Sequence, residues 1–450
     1  MKRFESLDIL RGMSIFGMVF SAIIPYGVLP GWMYHIQNPP PSHTLDITRY
    51  GIGWVDLVFP VFIFCMGAAI PFTFRTRWVA KGKDTISDLK GIGERFLMLL
   101  AFSYLCVLLS PNFDGYWPQY LILGGFVCLW MIYVKKAPAK VRVAGWIAAF
   151  ALIAVFYFCF GTPLSLFRRN IIILLLSFLY LFGALIWYVT RNSAWRRGVA
   201  FLLVIGLSLF TRLTGFDGAL YDNKSLSWLF NMEEINFLMI LIPATWVGDF
   251  FYNMISKGST PVFGRKISVH VLFWSLLLLV VLVLAGSYLR WQYTLFAVTT
   301  VLGTISLLTY KTARICAPPV FLSALLIIVG LAVENLEPGI TKVPCSFSYC
   351  FVTAGISILL LLWTEYIRQL IPGSFVGRIF SGAGENPLMS YVTFDMLVVP
   401  LMSITCMNLL YRWARPLEFP WAGVFTSFII VMFTMWLVSR ASRRKIYWRA

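Results

Sequence analysis

The chain has 450 residues, of which 59% are hydrophobic and 12% are charged, and its formal net charge is +18 at pH 7. Charged residues make up about a quarter of an ordinary soluble domain, so this composition excludes a soluble globular protein and predicts a polytopic membrane protein. The basic residues lie in short connectors between apolar runs, and no basic patch on a soluble module indicates a nucleic-acid partner.

Apolar runs close to the length that crosses a bilayer follow one another along the chain. They lie at residues 13–31, 54–74, 96–110, 118–134, 143–161, 170–189, 198–211, 235–255, 268–287, 292–310, 317–333, 347–364, 387–405 and 420–439. The first run is too long for the core of a signal peptide, so we interpret it as a retained helix. Several runs are short or contain proline, and we expect an all-α transmembrane bundle of ten to fourteen spanning helices that fills residues 1–450 as a single domain.

The distribution of lysine and arginine predicts the topology of the bundle. With the amino terminus inside, 28 of the 37 basic residues fall in inner segments and nine in outer ones, which predicts that both termini are cytoplasmic. Residues 32–53, 212–234 and 334–346 then form outer loops. The inner connector at residues 73–96 is basic and amphipathic, which is typical of a helix under the lipid headgroups, and a docking surface for an anionic cofactor is the alternative interpretation.

Ionisable residues lie at both ends of the first helix, where an unpaired charge is costly and therefore often functional. Asp8 and Arg11 are three residues apart, so they share a face and can pair at the inner rim. The pair either anchors the helix terminus or leaves the planar guanidinium of Arg11 to bind a phosphate or carboxylate. At the outer end, His35 and His43 flank three prolines, which favour an extended segment that holds a histidine in place.

A carboxylate opens the second helix in the segment GWVDLVFPVF. Asp56 there meets the positive end of the helix dipole and is also placed to orient a loop histidine. Near the other end of the chain, Asn386 precedes a proline, which is typical of a helix cap, and Tyr391 and Asp395 share the face of the helix that follows. An acid inside a membrane span indicates a functional site, and Asp249 is a second example.

The remaining histidine and the cysteines indicate no metal site. His270 lies on an apolar helix and is expected to pack, and no histidine has metal-ligand spacing with a cysteine. Cys345 and Cys350 are the pair that could meet in an outer loop. The signatures of ATP hydrolysis, serine hydrolysis and zinc proteolysis are missing from the sequence, which leaves a membrane enzyme or a carrier.

Three segments resemble the membrane acyltransferases related to heparan-alpha-glucosaminide N-acetyltransferase, and particularly their bacterial relatives. The opening RFESLDILRG is similar to that family's R-x-x-S-x-D-x-x-R-G start, and GWVDLVFPVFIFCMGAAIP is similar to its D-L-V-F-P-x-F-x-F-x-M-G segment. The late GENPLMSYV is similar to its G-x-N-x-x-x-x-Y helix start. The close match covers about 70 residues.

The resemblance implies an acetyl-CoA donor in the cytoplasm, a sugar acceptor at the outer face and a catalytic histidine in the loop before Asp56. His35 and His43 lie in that loop, 21 and 13 residues before Asp56, and the role is assigned first to His35. Asp8 and Arg11 would border the donor's phosphates, and Asn386 and Tyr391 would line the same cavity.

We therefore expect a multi-pass acyltransferase of the bacterial inner membrane that moves an acetyl group onto an amino or hydroxyl group of a glycan. Membrane lipids surround it, no metal is expected, and homodimer formation is left open. The alternative is a sugar or lipid-linked sugar transporter or flippase without covalent chemistry. A third alternative is a structural partner of a polysaccharide-processing complex.

Overall fold

The computed structural model describes residues 3–111, 115–258, 267–405, 407–416 and 418–449. Regular secondary structure within these residues is helical, and the one extended pairing there is an isolated antiparallel bridge between Val134 and Trp448. The all-α fold that the composition predicts is confirmed.

The helices follow the apolar runs of the sequence. Those before residue 259 are α1 (Glu5–Ile23), α2 (Trp54–Lys81), α3 (Thr85–Leu108), α4 (Tyr116–Tyr133), α5 (Ala139–Phe160), α6 (Ile171–Thr190), α7 (Ala194–Leu213), α8 (Phe216–Asp222), α9 (Glu233–Asn236) and α10 (Leu238–Ser256). Those after residue 266 are α11 (Ile267–Tyr288), α12 (Thr294–Thr312), α13 (Ala317–Val333), α14 (Phe347–Leu370), α15 (Phe375–Gly384), α16 (Pro387–Thr393), α17 (Val399–Ile404), α18 (Met407–Trp413) and α19 (Pro420–Arg443).

Thirteen helical segments of the described chain are long and apolar enough to cross a membrane, which lies within the predicted range of ten to fourteen. One of them, Pro387–Ile404, consists of α16 and α17 joined through a π-helical turn at Phe394–Val398. A shorter apolar helix, Trp117–Tyr133 within α4, belongs to the same series. If this helix also crosses, the described chain crosses the membrane an even number of times, so it ends on the side on which it starts.

The first and the last described segments of the chain contact the same residue, so they lie on one face of the bundle. This face is called the terminal face here. Arg3 forms an ion pair with Glu385 at 3.2 Å, and the Tyr447 hydroxyl donates to the same carboxylate at 3.1 Å. The face at the other end of the helices is here called the opposite face. It carries residues 24–53 and 334–346, whose backbones meet where the Gly51 amide donates to the Ile340 carbonyl at 2.7 Å.

The basic connector at residues 73–96 is the end of α2 and the start of α3, and it forms no separate surface helix. α2 continues to Lys81, Gly82 turns the chain at φ +78°, and Asp84 caps α3 by accepting from the Ile86 amide at 3.1 Å. The cationic side chains of this segment therefore project from two spanning helices at the terminal face.

The short helix α15 packs against α1 on the terminal half of the bundle. Their backbones approach so closely that a Cβ at Gly12 would lie 2.0 Å from the Phe380 carbonyl oxygen. At Gly384 a Cβ would lie 1.9 Å from the carbonyl oxygen of Asp8. Glycine at both positions thus permits a helix contact that any larger residue would open.

Candidate functional site

His35 and Asp56 meet at the opposite face, where the loop before α2 folds over the start of that helix. His35 Nδ1 lies 2.6 Å from Asp56 Oδ1, and the other carboxylate oxygen accepts the backbone amides of Gly53 at 3.2 Å and Ile36 at 3.3 Å. Asp56 is 4% exposed, whereas the His35 side chain is 39% exposed. The carboxylate is therefore fixed, and the imidazole it holds faces open space.

This hydrogen bond determines which ring nitrogen of His35 is available for chemistry. When Nδ1 donates its proton to the carboxylate, Nε2 carries the lone pair and can accept a proton. The Tyr349 hydroxyl donates to the backbone carbonyl of Asp56 at 2.6 Å and ties α14 to the same turn. His35 is thus a histidine with a fixed tautomer and a free basic nitrogen.

A cavity of about 480 Å³ opens in front of the His35 ring. It is called the opposite-face cavity here, and its polar lining includes His35, Asn38, His43, Glu233, Lys342 and Asp395. Burial lowers the pKa of Lys342, and the neighbouring Asp56 raises it by less. Burial also raises the pKa of Glu233, which Lys342 offsets in part. A basic and an acidic side chain therefore border a cavity large enough for a sugar-sized molecule.

His43 has a different environment from His35 although the two share a loop. Its Nε2 accepts the Gly27 backbone amide at 3.1 Å, and its ring stacks on Tyr26 at a centroid distance of 3.8 Å. The His43 amide donates to the Pro39 carbonyl at 2.9 Å, so the three prolines lie in a closed turn. The predicted extended segment is wrong, because this backbone hydrogen bond and the stacked rings fold the loop back on itself.

A second cavity of about 620 Å³ opens at the terminal face and is called the terminal-face cavity. Its charged lining consists of five arginines and two carboxylates: Arg3, Arg11, Arg77, Arg95, Arg449, Asp8 and Glu385. The surplus of positive charge suits a ligand with several negative charges.

Arg95 and Arg449 carry that surplus. In the described part of the chain no acidic side chain forms an ion pair with either of them, and Arg95 instead lies over the Tyr180 ring at 4.3 Å. Burial lowers the pKa of the Arg449 guanidinium, and the neighbouring cations Arg95 and Arg3 lower it further. Unpaired cations held this close together are stabilised by an anion between them.

Asp8 and Arg11 form the predicted pair, with 3.3 Å between Arg11 Nη1 and the Asp8 carboxylate. Arg11 also donates to the backbone carbonyls of Gly384 at 3.0 Å and Cys65 at 3.4 Å, while Asp8 pairs with Arg3 at 2.6 Å. Arg11 therefore joins α1 to α2 and α15 at the wall of the cavity.

Tyr391 lies where the two cavities come together, since it lines both. Its hydroxyl accepts a hydrogen bond from the Asn170 amide at 3.1 Å. Met18 and Ile172 are the other two side chains that the cavities share. A ligand that extends from one cavity into the other must pass these three residues.

Asn386 has no place in the lining of either cavity. Its side-chain amide donates to the Ile446 carbonyl at 2.9 Å and accepts the Trp448 amide at 2.9 Å, and it makes no cap bond to α16. The residue is fully buried and fastens residues 446–448 to the start of the helix. Asn386 is the N-cap residue and Pro387 begins α16, as the sequence predicts, but the segment after α19 takes both ends of the side-chain amide, so the side chain does not cap the helix.

The other polar residues named from the sequence lie outside this pair of cavities. His270 is hydrogen-bonded to the Tyr366 hydroxyl, and Asp249 is bound by Arg75 at 2.8 Å and by Arg197 at 2.7 Å. The sulfurs of Cys345 and Cys350 are 3.3 Å apart in a hydrogen-bonded contact and form no disulfide. Among the described residues no group of three or more histidine, cysteine or acidic side chains could hold a metal ion.

Several charged residues of the two cavities were not found from the sequence, among them Glu233, Lys342, Arg95 and Arg449. Arg95 lies in the connector at residues 73–96, for which docking of an anion was one interpretation. The sequence therefore indicated the segment but not the individual arginine. Lys342 and Glu233 lie in segments at the opposite face whose contacts depend on distant helices, and no local pattern marks them.

The fold and the two cavities define a class, a many-span helical membrane protein with a polar site at each face. The family model for the domain of unknown function DUF5009 matches residues 3–251, more than half of the chain. The chain belongs to this family. A search of the curated proteins finds no match.

Proposed function

We propose that the protein is a membrane acyltransferase related to heparan-alpha-glucosaminide N-acetyltransferase. It would move an acetyl or similar acyl group from a coenzyme A thioester at the terminal face to an amino or hydroxyl group of a sugar at the opposite face. The observation that carries the proposal is the His35–Asp56 pair in a cavity that meets an arginine-lined cavity at Tyr391.

The terminal-face cavity suits the donor. Coenzyme A carries phosphates, and Arg95 and Arg449 offer two guanidinium groups that no described acid neutralises. The excess of basic residues in the segments predicted to be inside favours a cytoplasmic terminal face, the side on which a protein of the bacterial inner membrane would meet acyl thioesters. The acyl group would point inward, toward Tyr391.

The opposite-face cavity suits the acceptor and the base. The acceptor nitrogen or oxygen attacks the thioester carbonyl carbon, a carbon–nitrogen or carbon–oxygen bond forms, and the carbon–sulfur bond breaks. Nε2 of His35 takes the proton that the acceptor loses, and Asp56 stabilises the imidazolium that results. Alternatively, His35 carries the acyl group transiently before the acceptor receives it.

The test is acyl transfer by the purified protein in liposomes. Radiolabelled acetyl-CoA is supplied on the side of the terminal face, and mixed amino sugars on the other. We expect label on a sugar with the unaltered protein and a rate about 10²–10⁴-fold lower with His35→Ala, the range for one positioned base. His270→Ala is the matched control, since His270 lines neither cavity and its ring is hydrogen-bonded to the Tyr366 hydroxyl. Full turnover by His35→Ala would refute the role of the histidine.

A carrier for a free or lipid-linked sugar is the second candidate, and one observation favours it. Asp395, in the middle of the span Pro387–Ile404, lines the opposite-face cavity, and intramembrane acids often mark transport pathways. The liposome assay separates the two candidates. A carrier would move labelled sugar across the membrane without releasing coenzyme A from its thioester.

A further inference from the structure

A third cavity of about 640 Å³ binds neither the donor nor the acceptor in the proposed function. It lies between α3, α4 and the span Pro387–Ile404, and its polar lining consists of Ser110, Gln119, Asn170, Tyr391 and Asp395. A polar cavity of this size holds water, because each water finds several hydrogen-bonding partners on its wall. Water in the third cavity would therefore reach the middle of the membrane.

Two residues connect the three cavities. Tyr391 lines all of them, and Asp395 lines the third cavity and the opposite-face cavity. They are four residues apart, so they lie on one side of the helix, where the π-helical turn Phe394–Val398 begins. Turns of this kind add a residue to a helix and are frequent at functional sites.

The Asp395 carboxylate has no hydrogen bond or ion pair with any described residue although it lies at mid-span. A charged group there is costly, and those that persist usually serve a substrate, ion or proton path. The Asn170 amide donates to the Tyr391 hydroxyl oxygen at 3.1 Å, which leaves the hydroxyl hydrogen of Tyr391 available for donation. The pair thus offers an acid at the water-filled side and a proton donor at the constriction.

The proposed reaction needs such a pair. Acyl transfer removes one proton from the acceptor at the opposite face and leaves a thiolate on coenzyme A, which must gain one. The acceptor atom and the sulfur meet on one carbonyl carbon at the constriction that Tyr391 forms with Met18 and Ile172, but His35 lies in the opposite-face cavity and the thiolate leaves toward the terminal-face cavity. Met18 and Ile172 offer a proton no path between His35 and the departing thiolate, whereas the Tyr391 hydroxyl does.

We propose that Asp395 and Tyr391 are the proton path between the two half-sites of the acyltransferase, an inference that rests on the proposed function. The proton taken by His35 passes through water to the Asp395 carboxylate. The Tyr391 hydroxyl gives its proton to the leaving thiolate and recovers one from protonated Asp395. No proton is gained or lost overall, and each side chain returns to its starting state.

The experiment measures coenzyme A release and labelled product in liposomes for Tyr391→Phe, Asp395→Asn and Asp395→Ala. Thr393→Val is the control, because Thr393 lies on the same helix, donates to the Met389 carbonyl at 2.6 Å and lines none of the three cavities. We expect kcat to fall about 10²-fold in the Tyr391 and Asp395 variants, with little change in KM, and to stay unchanged in the control. Formate, a small acid that fits the space left by Asp395→Ala, should restore part of the lost rate.

Restoration by formate distinguishes a proton path from a structural role, since a carboxylic acid in solution cannot repair a misfolded helix. Unchanged turnover in Asp395→Asn and Tyr391→Phe would overturn the proton path while the acyltransferase stands. A loss of turnover that no concentration of formate restores would overturn it as well. If the unaltered protein releases no coenzyme A with any acceptor, the proposed function is refuted, and the proton path with it.

Discussion

The contact between α1 and α15 positions Asp8 and Arg11 at the terminal-face cavity, and Gly384 makes this contact possible. A Cβ at Gly384 would lie 1.9 Å from the Asp8 carbonyl oxygen, whereas Cβ contacts under 3.0 Å essentially never occur. The Gly384→Ala protein must therefore move the two helices apart by the difference, 1.1 Å or more. The obstacle is a backbone atom of a helix, which cannot rotate away as a side chain can.

The cost of that movement has two parts. Forcing an extra methyl group into a packed contact costs about 1–3 kcal/mol. The separation also stretches the hydrogen bond from Arg11 Nη1 to the Gly384 carbonyl, now 3.0 Å, and a hydrogen bond to a charged group contributes about 1.5–3 kcal/mol. We expect Gly384→Ala to lower the free energy of unfolding by about 2.5–6 kcal/mol.

The assay is the thermal unfolding midpoint in detergent, followed by the loss of the monodisperse peak in size-exclusion chromatography. Gly198→Ala is the matched control, because a Cβ at Gly198 in α7 meets nothing within 4 Å. Alanine there should be neutral or slightly stabilising. We expect Gly384→Ala to melt about 5 °C or more below the control. Equal midpoints for the two variants would refute the close packing of α1 on α15.

Two further predictions concern the charged residues of the cavities. Burial raises the pKa of Glu233 from its ordinary value of 4.5, so between that pH and the raised pKa the folded protein holds a proton that the unfolded chain has released. Stability should fall as the pH rises through this window, and Glu233→Gln should flatten the dependence of the unfolding midpoint on pH. Arg449→Gln should weaken binding of coenzyme A about 10-fold or more, measured by calorimetry, because one charge-assisted hydrogen bond to a phosphate is lost. Lys90→Gln, an exposed change on α3, should leave the affinity unchanged.

Each of these predictions has a result that would contradict it. Identical pH profiles for the unaltered protein and Glu233→Gln would mean that the carboxyl titrates normally in the folded protein. An Arg449→Gln affinity equal to that of Lys90→Gln would show that the phosphates bind elsewhere.

The sequence by itself determined the class of the protein and the series of its membrane-spanning helices. Apolar runs of about 20 residues can satisfy their backbone groups only as helices in a membrane, so the spans follow from local composition. The segments GWVDLVFPVF and RFESLDILRG also marked Asp56, Asp8 and Arg11 as charges at helix ends, because the cost of a charge near lipid depends on its neighbours in the chain.

Only the tertiary structure decided which of these residues meet. His35 and His43 are both loop histidines, and nothing local in the sequence separates them. In the fold, His35 is hydrogen-bonded to the Asp56 carboxylate, whereas His43 accepts the Gly27 amide. Asn386 has the sequence of a helix cap, and the returning segment takes its amide instead.

The arginine cluster depended on the fold in the same way. Arg3, Arg95 and Arg449 are far apart in the sequence. They lie around one cavity because the start of α1, the first half of α3 and the segment after α19 are all at the terminal face. Helix formation is a local property of the chain, whereas a binding site depends on how the helices pack, and packing involves residues that no sequence window contains.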